Sequence, residues 1–344
     1  MRQGDAALAR WYEEQKAVRE LGAAQQSSEE RRSQLLELLR RSLGHFERTT
    51  AYEPILLERT VCDGYIRERV ELSAVTGLTF GAYVLIPEGA SGRLPGVVAV
   101  HGHGYGSRQI CGMTADGEMD TRGTGGHSHF AVQLVKRGMV VIAPDVIGFG
   151  ERRLASDLAS DPNAPNSCYM MATKLLMLGR TLTGLRVTEL FGALDYFLTR
   201  PDVDPARIGI AGFSGGSVIS YTAAALDERI RAALLIGYPN TFKDSIWDIR
   251  HCICNYTPGV LTEAELPELL GLIAPRPLFL ESGRRDPIFP SEGFEMAVSE
   301  LQRLYGDANA EDRLAYDLFE GGHEVSGRQS FDWMKQQLEA VPNL

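Results

Sequence analysis

The chain has 344 residues, of which 44% are hydrophobic, and a formal net charge of −10, so it can bury a large core and is a poor partner for nucleic acid. No run of about 20 apolar residues is present, and the N-terminus lacks an apolar signal segment, which argues against a membrane span or an export signal. Five cysteines without a disulfide-like spacing favour a reduced, cytoplasmic protein.

Two helices are predicted before the first strand. Apolar residues recur at helical spacing over residues 5–21. Ser27 and Glu30 then form the pattern of a capping box, and the helix that they open is expected to end near Gly44. We therefore divide the chain into an N-terminal helical appendage, residues 1–50, and a catalytic domain, residues 51–344. The pattern fits both a packing role for the appendage and a contact in a homo-oligomer.

The catalytic domain is predicted to be of the α/β class. Residues 55–86 alternate apolar and polar side chains, with turns at Asp63-Gly64 and Thr76-Gly77, which indicates an antiparallel meander. Short apolar strands then alternate with helices, which predicts a mostly parallel sheet with helices on both faces. The predicted strands are 96–100, 139–143, 207–211, 232–236, 277–280 and 314–319. The predicted helices are 130–137, 183–198, 217–226, 291–305 and 328–340.

Two insertions, about residues 151–180 and 238–275, follow predicted strands at the carboxyl edge of the sheet. Open α/β sheets place their substrate pockets at this edge. We therefore expect both insertions to lie over the reactive residues and to narrow the mouth of the pocket.

The segment Gly212-Phe213-Ser214-Gly215-Gly216 matches the pattern G-x-S-x-G between a predicted strand and a predicted helix. A serine on such a sharp turn presents its hydroxyl clear of the sheet, and glycines at 212 and 216 remove side chains that would clash there. An ordinary glycine-rich turn is the alternative. The motif favours Ser214 as a nucleophile only if a base and an orienting acid accompany it.

His323 and Asp286 are the predicted partners of Ser214. His323 follows the last predicted strand, in the sequence EGGHE, and Asp286 follows the strand before it, in ESGRRDP. A serine hydroxyl needs a general base, and a histidine base needs a carboxylate that orients it. A turn residue and a loop histidine are the alternatives, but the joint placement of all three, each after a different strand and in this chain order, favours a Ser-His-Asp triad.

The segment His101-Gly102-His103-Gly104 follows a predicted strand, where backbone donors for a developing oxyanion are expected. We predict that the amides of His103 and Gly215 form this oxyanion hole, while a role for the His103 side chain in lining the acyl pocket is also open. The second insertion supplies candidate substrate contacts in Trp247, His251 and Tyr256. Packing within a lid explains these three residues equally well.

These motifs resemble those of α/β-hydrolase-fold serine esterases, in the branch of the acetyl xylan esterases and dienelactone-hydrolase-like proteins. The resemblance covers roughly residues 55–340 and implies an α/β-hydrolase fold with helices on both faces of the sheet. Its matching segments are HGHG at 101–104, APD at 143–145, GFGE at 148–151, GFSGG at 212–216, IAPRP at 273–277, Asp286 and GH at 322–323. Dienelactone hydrolases proper use a cysteine where this chain has Ser214, so the resemblance implies ester cleavage rather than that lactone chemistry.

Three other functional classes make different demands on the sequence. A metallohydrolase would need acidic ligands beside His101-x-His103 or His127-x-His129, and Cys252-x-Cys254 has no second cysteine pair, so no metal and no cofactor are expected. A prolyl-oligopeptidase-type peptidase would need a β-propeller, for which too few residues precede HGHG. A non-catalytic binding module would lack part of the triad. The sequence therefore predicts a serine hydrolase of short-acyl carboxylic esters, including acetyl esters of carbohydrates, with a peptidase or amidase as the alternative.

Overall fold

The computed structural model describes residues 3–49, 52–123 and 125–340. Its strands are β1 (Ile55–Cys62), β2 (Tyr65–Val75), β3 (Leu78–Pro87), β4 (Leu94–Val100), β5 (Val140–Pro144), β6 (Val203–Phe213), β7 (Ile230–Ile236), β8 (Leu278–Gly283) and β9 (Leu314–Phe319). Its helices are α1 (Gln3–Ala24), α2 (Ser28–Leu43), α3 (Ser107–Ile110), α4 (Phe130–Val135), α5 (Ala155–Ser160), α6 (Cys168–Met177), α7 (Leu182–Thr199), α8 (Gly215–Leu226), α9 (Leu266–Gly271), α10 (Ser291–Asp307) and α11 (Ser330–Glu339). Within these ranges no helix has both the length and the apolar character that a membrane span requires.

The strands form one sheet in the order β1-β2-β3-β5-β4-β6-β7-β8-β9. The first three strands are an antiparallel meander, and β3 pairs antiparallel with β5. All pairings from β5 through β4 to β9 are parallel. The predicted fold class is therefore confirmed, including the turns at Asp63-Gly64 and Thr76-Gly77 that join the meander strands.

The two faces of the sheet carry separate hydrophobic clusters. In β4, Val98 and Val100 belong to the cluster that includes α7 and α8, whereas Val97 and Ala99 belong to the cluster that includes α4 and α11. Side chains alternate between faces along a strand, so a strand that is buried on both faces must be apolar throughout. This burial explains the continuous apolar runs in the sequence, and it leaves the carboxyl edge of the sheet as the place for polar chemistry.

The two N-terminal helices pack on the rest of the chain. The capping box at the start of α2 is confirmed, since Ser27 N donates to Glu30 Oε2 at 2.8 Å and Glu30 N donates to Ser27 Oγ at 3.3 Å. In α1, Arg19 donates to the carbonyl of Leu261 at 2.8 Å, and the Tyr12 ring lies 5.4 Å from that of Trp247. The helix α1 therefore covers part of the second insertion.

Candidate active site

Ser214 occupies the sharp turn between β6 and α8. Its backbone has φ 54° and ψ −122°, a strained conformation for a residue with a side chain. The chain is crowded on both sides of the turn. A Cβ on Gly212 would lie 2.5 Å from the carbonyl oxygen of Gly216, and a Cβ on Gly216 would lie 2.1 Å from that of Val100. Both positions therefore require glycine.

Ser214, His323 and Asp286 form one hydrogen-bonded chain. His323 Nε2 lies 2.9 Å from Ser214 Oγ, and His323 Nδ1 lies 2.6 Å from Asp286 Oδ2. The three residues follow β6, β9 and β8, whose carboxyl ends lie at the same edge of the parallel part of the sheet. This geometry is the arrangement in which an imidazole takes a proton from a serine hydroxyl while a carboxylate orients the ring.

Two backbone amides next to Ser214 have no hydrogen-bond acceptor among the described residues, those of His103 and Gly215. Gly215 is the first residue of α8, where amides have no partner within the helix. A Cβ on Gly215 would lie 2.9 Å from His103 Nδ1, so the two residues are in contact. The two residues predicted to supply the oxyanion hole are therefore in contact through the His103 side chain, and neither amide is used by another described residue.

His101, the first residue of the HGHG segment, is held in place by hydrogen bonds to the backbone. Its Nδ1 lies 2.8 Å from the carbonyl of Gly102, and the amide of Val146 donates to its Nε2 at 3.1 Å. The ring is therefore the Nδ1–H tautomer. Complete burial lowers the pKa of His101 to about 4. A neutral His101 thus connects the loop after β4 to the loop after β5.

The cavity above Ser214 has a volume of about 410 Å³. Besides Ser214 and His323, its lining combines aromatic rings, one aliphatic side chain, one glycine and several polar side chains: His103, Gln109, Gly126, His127, Phe213, Arg250, His251, Cys252, Asn255, Ile288 and Phe289. The second insertion contributes four of these residues, whereas residues 151–180 contribute none. The expectation that both insertions narrow this pocket is therefore met by the second alone.

Trp247 and Tyr256, which the sequence offered as substrate contacts, line a different cavity of about 300 Å³ together with Trp11 and Tyr12. The prediction that Trp247 and Tyr256 line the Ser214 pocket is therefore wrong. Of the three residues predicted to contact substrate, His251 alone lines that pocket. The cause is a turn at residues 243–247, in which the amide of Trp247 bonds to the carbonyl of Phe242 five residues earlier. This turn directs Trp247 towards α1.

One pocket histidine, His127, has a place that the sequence does not predict, because the sequence offers it only as one of a metal-binding pair with His129. Its side chain lines the pocket, and its Nε2 is buried without a hydrogen-bond partner among the described residues. His251 Nε2 is also buried without a hydrogen-bond partner among the described residues. Burial lowers the pKa of His127 to about 3 and also lowers that of His251. Both rings are therefore neutral hydrogen-bonding groups facing the pocket.

A family model described as the Abhydrolase family matches residues 20–298. The chain belongs to the Abhydrolase family. This Abhydrolase protein is 29% identical, over 246 residues, to a Bacillus subtilis (strain 168) protein named "Putative hydrolase YtaP", an alignment that covers 70% of this chain and 77% of that one.

Solved structures share the fold of this Abhydrolase protein. A "putative acetyl xylan esterase" from Bacteroides fragilis NCTC 9343 superposes with a TM-score of 0.67 at 18% identity, covering 84% of this chain and 73% of that chain. A glucuronoyl esterase from Solibacter usitatus superposes with a TM-score of 0.62 at 14% identity, covering 90% of this chain and 91% of that chain. The predicted α/β-hydrolase fold is confirmed by these superpositions and by the family model.

Proposed function

We propose that this protein hydrolyses carboxylic esters through a covalent acyl-enzyme, with Ser214 as the nucleophile. The observation that carries the proposal is the pair of contacts at His323, 2.9 Å from Ser214 Oγ and 2.6 Å from Asp286 Oδ2. Both lie in the range of hydrogen bonds through which a base activates a serine.

The reaction proceeds in two steps. Ser214 Oγ attacks the ester carbonyl while its proton passes to His323 Nε2, and the amides of His103 and Gly215 stabilise the oxyanion of the tetrahedral intermediate. The imidazolium then protonates the departing alcohol, leaving an acyl group on Ser214. Water attacks this acyl-enzyme with His323 as the base, and the products are a carboxylic acid and the free serine.

The polar lining of the pocket favours a hydroxyl-rich alcohol. The unpartnered Nε2 atoms of His127 and His251 are buried, and a buried polar atom without a partner is costly unless a ligand satisfies it. Neutral imidazoles donate to or accept from hydroxyl groups. The fold neighbours named for acetyl xylan and glucuronoyl esters are consistent with such substrates, and we propose acetyl esters of carbohydrates as the substrate class.

The size of the pocket favours a short acyl group. Phe213, Phe289 and Ile288 line the cavity beside the serine, and one methylene that does not fit costs about 1–3 kcal/mol, or roughly 10–200-fold in kcat/KM. We expect acetyl and propionyl esters to exceed octanoyl esters in kcat/KM by at least about tenfold.

The test is a series of p-nitrophenyl esters of increasing acyl length, measured beside acetylated xylo-oligosaccharides and matched amides. The Ser214→Ala variant serves as the blank and is expected to lose about 10⁴-fold or more in kcat while it remains folded. A maximum in kcat/KM at an acyl length of eight carbons or longer would refute the short-acyl proposal. Faster cleavage of amides than of esters would favour a peptidase. Normal turnover by folded Ser214→Ala would show that Ser214 is not the nucleophile.

A further inference from the structure

Four side chains with metal-ligating atoms meet beside the Ser214 pocket: His103, Cys168, Cys252 and Cys254. One ligand atom of each lies within 4.8 Å of those of the other three. His103 Nε2 lies 3.4 Å from Cys254 Sγ. Cys168 and Cys254 are buried, and His103 and Cys252 are partly covered. We propose that these four residues bind one zinc ion, in place of the expectation that the protein has no metal.

The donor set and its spacing suit zinc. Zinc binds thiolate sulfur at about 2.3 Å and imidazole nitrogen at about 2.0–2.1 Å in a tetrahedron, which places two sulfur atoms about 3.8 Å apart and a sulfur and a nitrogen about 3.6 Å apart. The four atoms need to approach one another by no more than about 1.2 Å to reach that geometry. Three soft thiolates with one imidazole also favour zinc over magnesium or calcium, which prefer oxygen ligands.

A buried cation beside the cluster supplies an independent argument. Arg186 is buried, and its Nη2 donates to Cys168 Sγ at 3.2 Å and to the carbonyl of Ile147 at 3.0 Å. No described carboxylate lies within ion-pair distance of its guanidinium. A buried charge without a counter-charge is expensive. Three thiolates, one Zn²⁺ and one guanidinium together carry no net charge, which explains why an arginine is tolerated here.

Two polar groups beside the cluster can support metal-bound thiolates. The thiolate is the form of cysteine that binds a metal. Arg186 contacts Cys168 Sγ, and the side-chain amide nitrogen of Asn255 lies 4.0 Å from Cys254 Sγ. Groups that orient zinc ligands are found in such positions.

The zinc ion has a structural role in this proposal, because four protein ligands leave no open coordination position for substrate. Cys168 begins α6 in the first insertion, Cys252 and Cys254 lie in the second, and His103 lies in the loop after β4. The ion would therefore tie both insertions to the loop that carries His103, whose amide the proposed function assigns to the oxyanion hole. This effect on the oxyanion hole rests on the proposed function, whereas metal binding itself does not.

The experiment is metal analysis of the full chain, purified with a phosphine reductant after growth with added zinc. We expect about one zinc per chain in the wild type, at least a tenfold loss in Cys168→Ser and Cys254→Ser, and full retention in the control Cys62→Ser, whose thiol lies outside the cluster. Zinc release is then followed with a chromogenic chelator while wild-type thiols are titrated with a mercurial, which needs no variant to fold.

Release of zinc in step with the modification of three thiols would support the site even if the serine variants aggregate. Less than about 0.1 zinc per wild-type chain, together with no thiolate-to-cobalt charge-transfer band after Co²⁺ is added to the reduced protein, would overturn the proposal. An intact mass that shows a disulfide among Cys168, Cys252 and Cys254 in freshly purified protein would also overturn it. Metal content and esterase activity are measured separately, so a negative result for zinc binding does not contradict the proposed ester hydrolysis, and the reverse also holds.

Discussion

Asp286 holds His323 in one orientation. Its Oδ2 contacts His323 Nδ1, and its Oδ1 accepts the amides of Ile288 and Phe289 at 2.9 and 3.1 Å. The rings of Phe213 and Phe289 lie 5.0 and 5.7 Å from the imidazole. The carboxylate therefore selects the tautomer with a proton on Nδ1, and the lone pair of Nε2 is left to accept from Ser214.

Replacing Asp286 by asparagine tests this orientation. An asparagine amide donates to Nδ1 and favours the wrong tautomer, so Asp286→Asn should lower kcat by up to about 10⁴-fold with little change in stability. The matched control is Asp307→Asn at the end of α10, where Asp307 pairs with Arg303 on the surface and with no other described residue. Equal activity of Asp286→Asn and the wild type, or a loss confined to Asp307→Asn, would show that the wrong carboxylate was chosen.

The turn from β6 to α8 places the serine, and its sequence is dictated by close backbone approach. Ser214 N donates to the carbonyl of Ile236 in β7 at 2.8 Å, and Ser217 Oγ donates to the carbonyl of Gly212 at 2.7 Å. These bonds fix both ends of the turn. The strained backbone of Ser214 persists because the neighbouring strands and α8 over-determine it.

Gly216→Ala is expected to disrupt this turn. The added Cβ would lie 2.1 Å from the carbonyl oxygen of Val100 and 2.7 Å from that of His101, so backbone must move. We expect a loss of at least about 3 kcal/mol in the free energy of unfolding, measured by urea denaturation. Gly22→Ala in α1 is the control, since its Cβ meets no atom within 4 Å and alanine favours helix by about 1 kcal/mol. Similar stabilities for the two variants would contradict the crowding argument.

The molecule as a whole buries several titratable groups whose effects on stability oppose one another. Burial lowers the pKa of His101 to about 4 and that of His127 to about 3. Burial raises the pKa of the carboxyl groups of Asp145 and Glu281. The histidines take up protons more readily in the unfolded chain, whereas these carboxyl groups do so more readily in the native state. Their contributions therefore have opposite signs on acidification.

His101→Asn isolates the histidine contribution. An unfolded histidine titrates near about 6.5, so between that pH and about 4 acid favours the unfolded chain and the stabilising effect of neutral His101 is lost as pH falls. The asparagine variant should therefore show a slope of unfolding free energy against pH that is smaller by up to about 1.4 kcal/mol per pH unit. Denaturant titrations at a series of pH values from 5 to 7.5 measure this slope, and parallel curves for the two proteins would contradict the assignment.

The features that the sequence predicted are those encoded locally. Strand apolarity, the capping box at Ser27 and the positions of Ser214, Asp286 and His323 after three different strands all follow from short segments. The place of Trp247 depends on Tyr12, more than two hundred residues away, so no local pattern reveals it. The sequence does not predict the cysteine cluster either, because its residues come from three segments without a metal-binding spacing.

The central claim, that Ser214 is a nucleophile activated by His323, is tested most directly by covalent labelling. A fluorophosphonate probe should modify the folded protein at one residue, Ser214, with loss of fluoride, as located by peptide mass spectrometry. The His323→Ala variant should react at least about 10³-fold more slowly, because the hydroxyl then lacks its base. Labelling at another residue, or an equal rate of Ser214 modification in wild type and His323→Ala, would contradict the account.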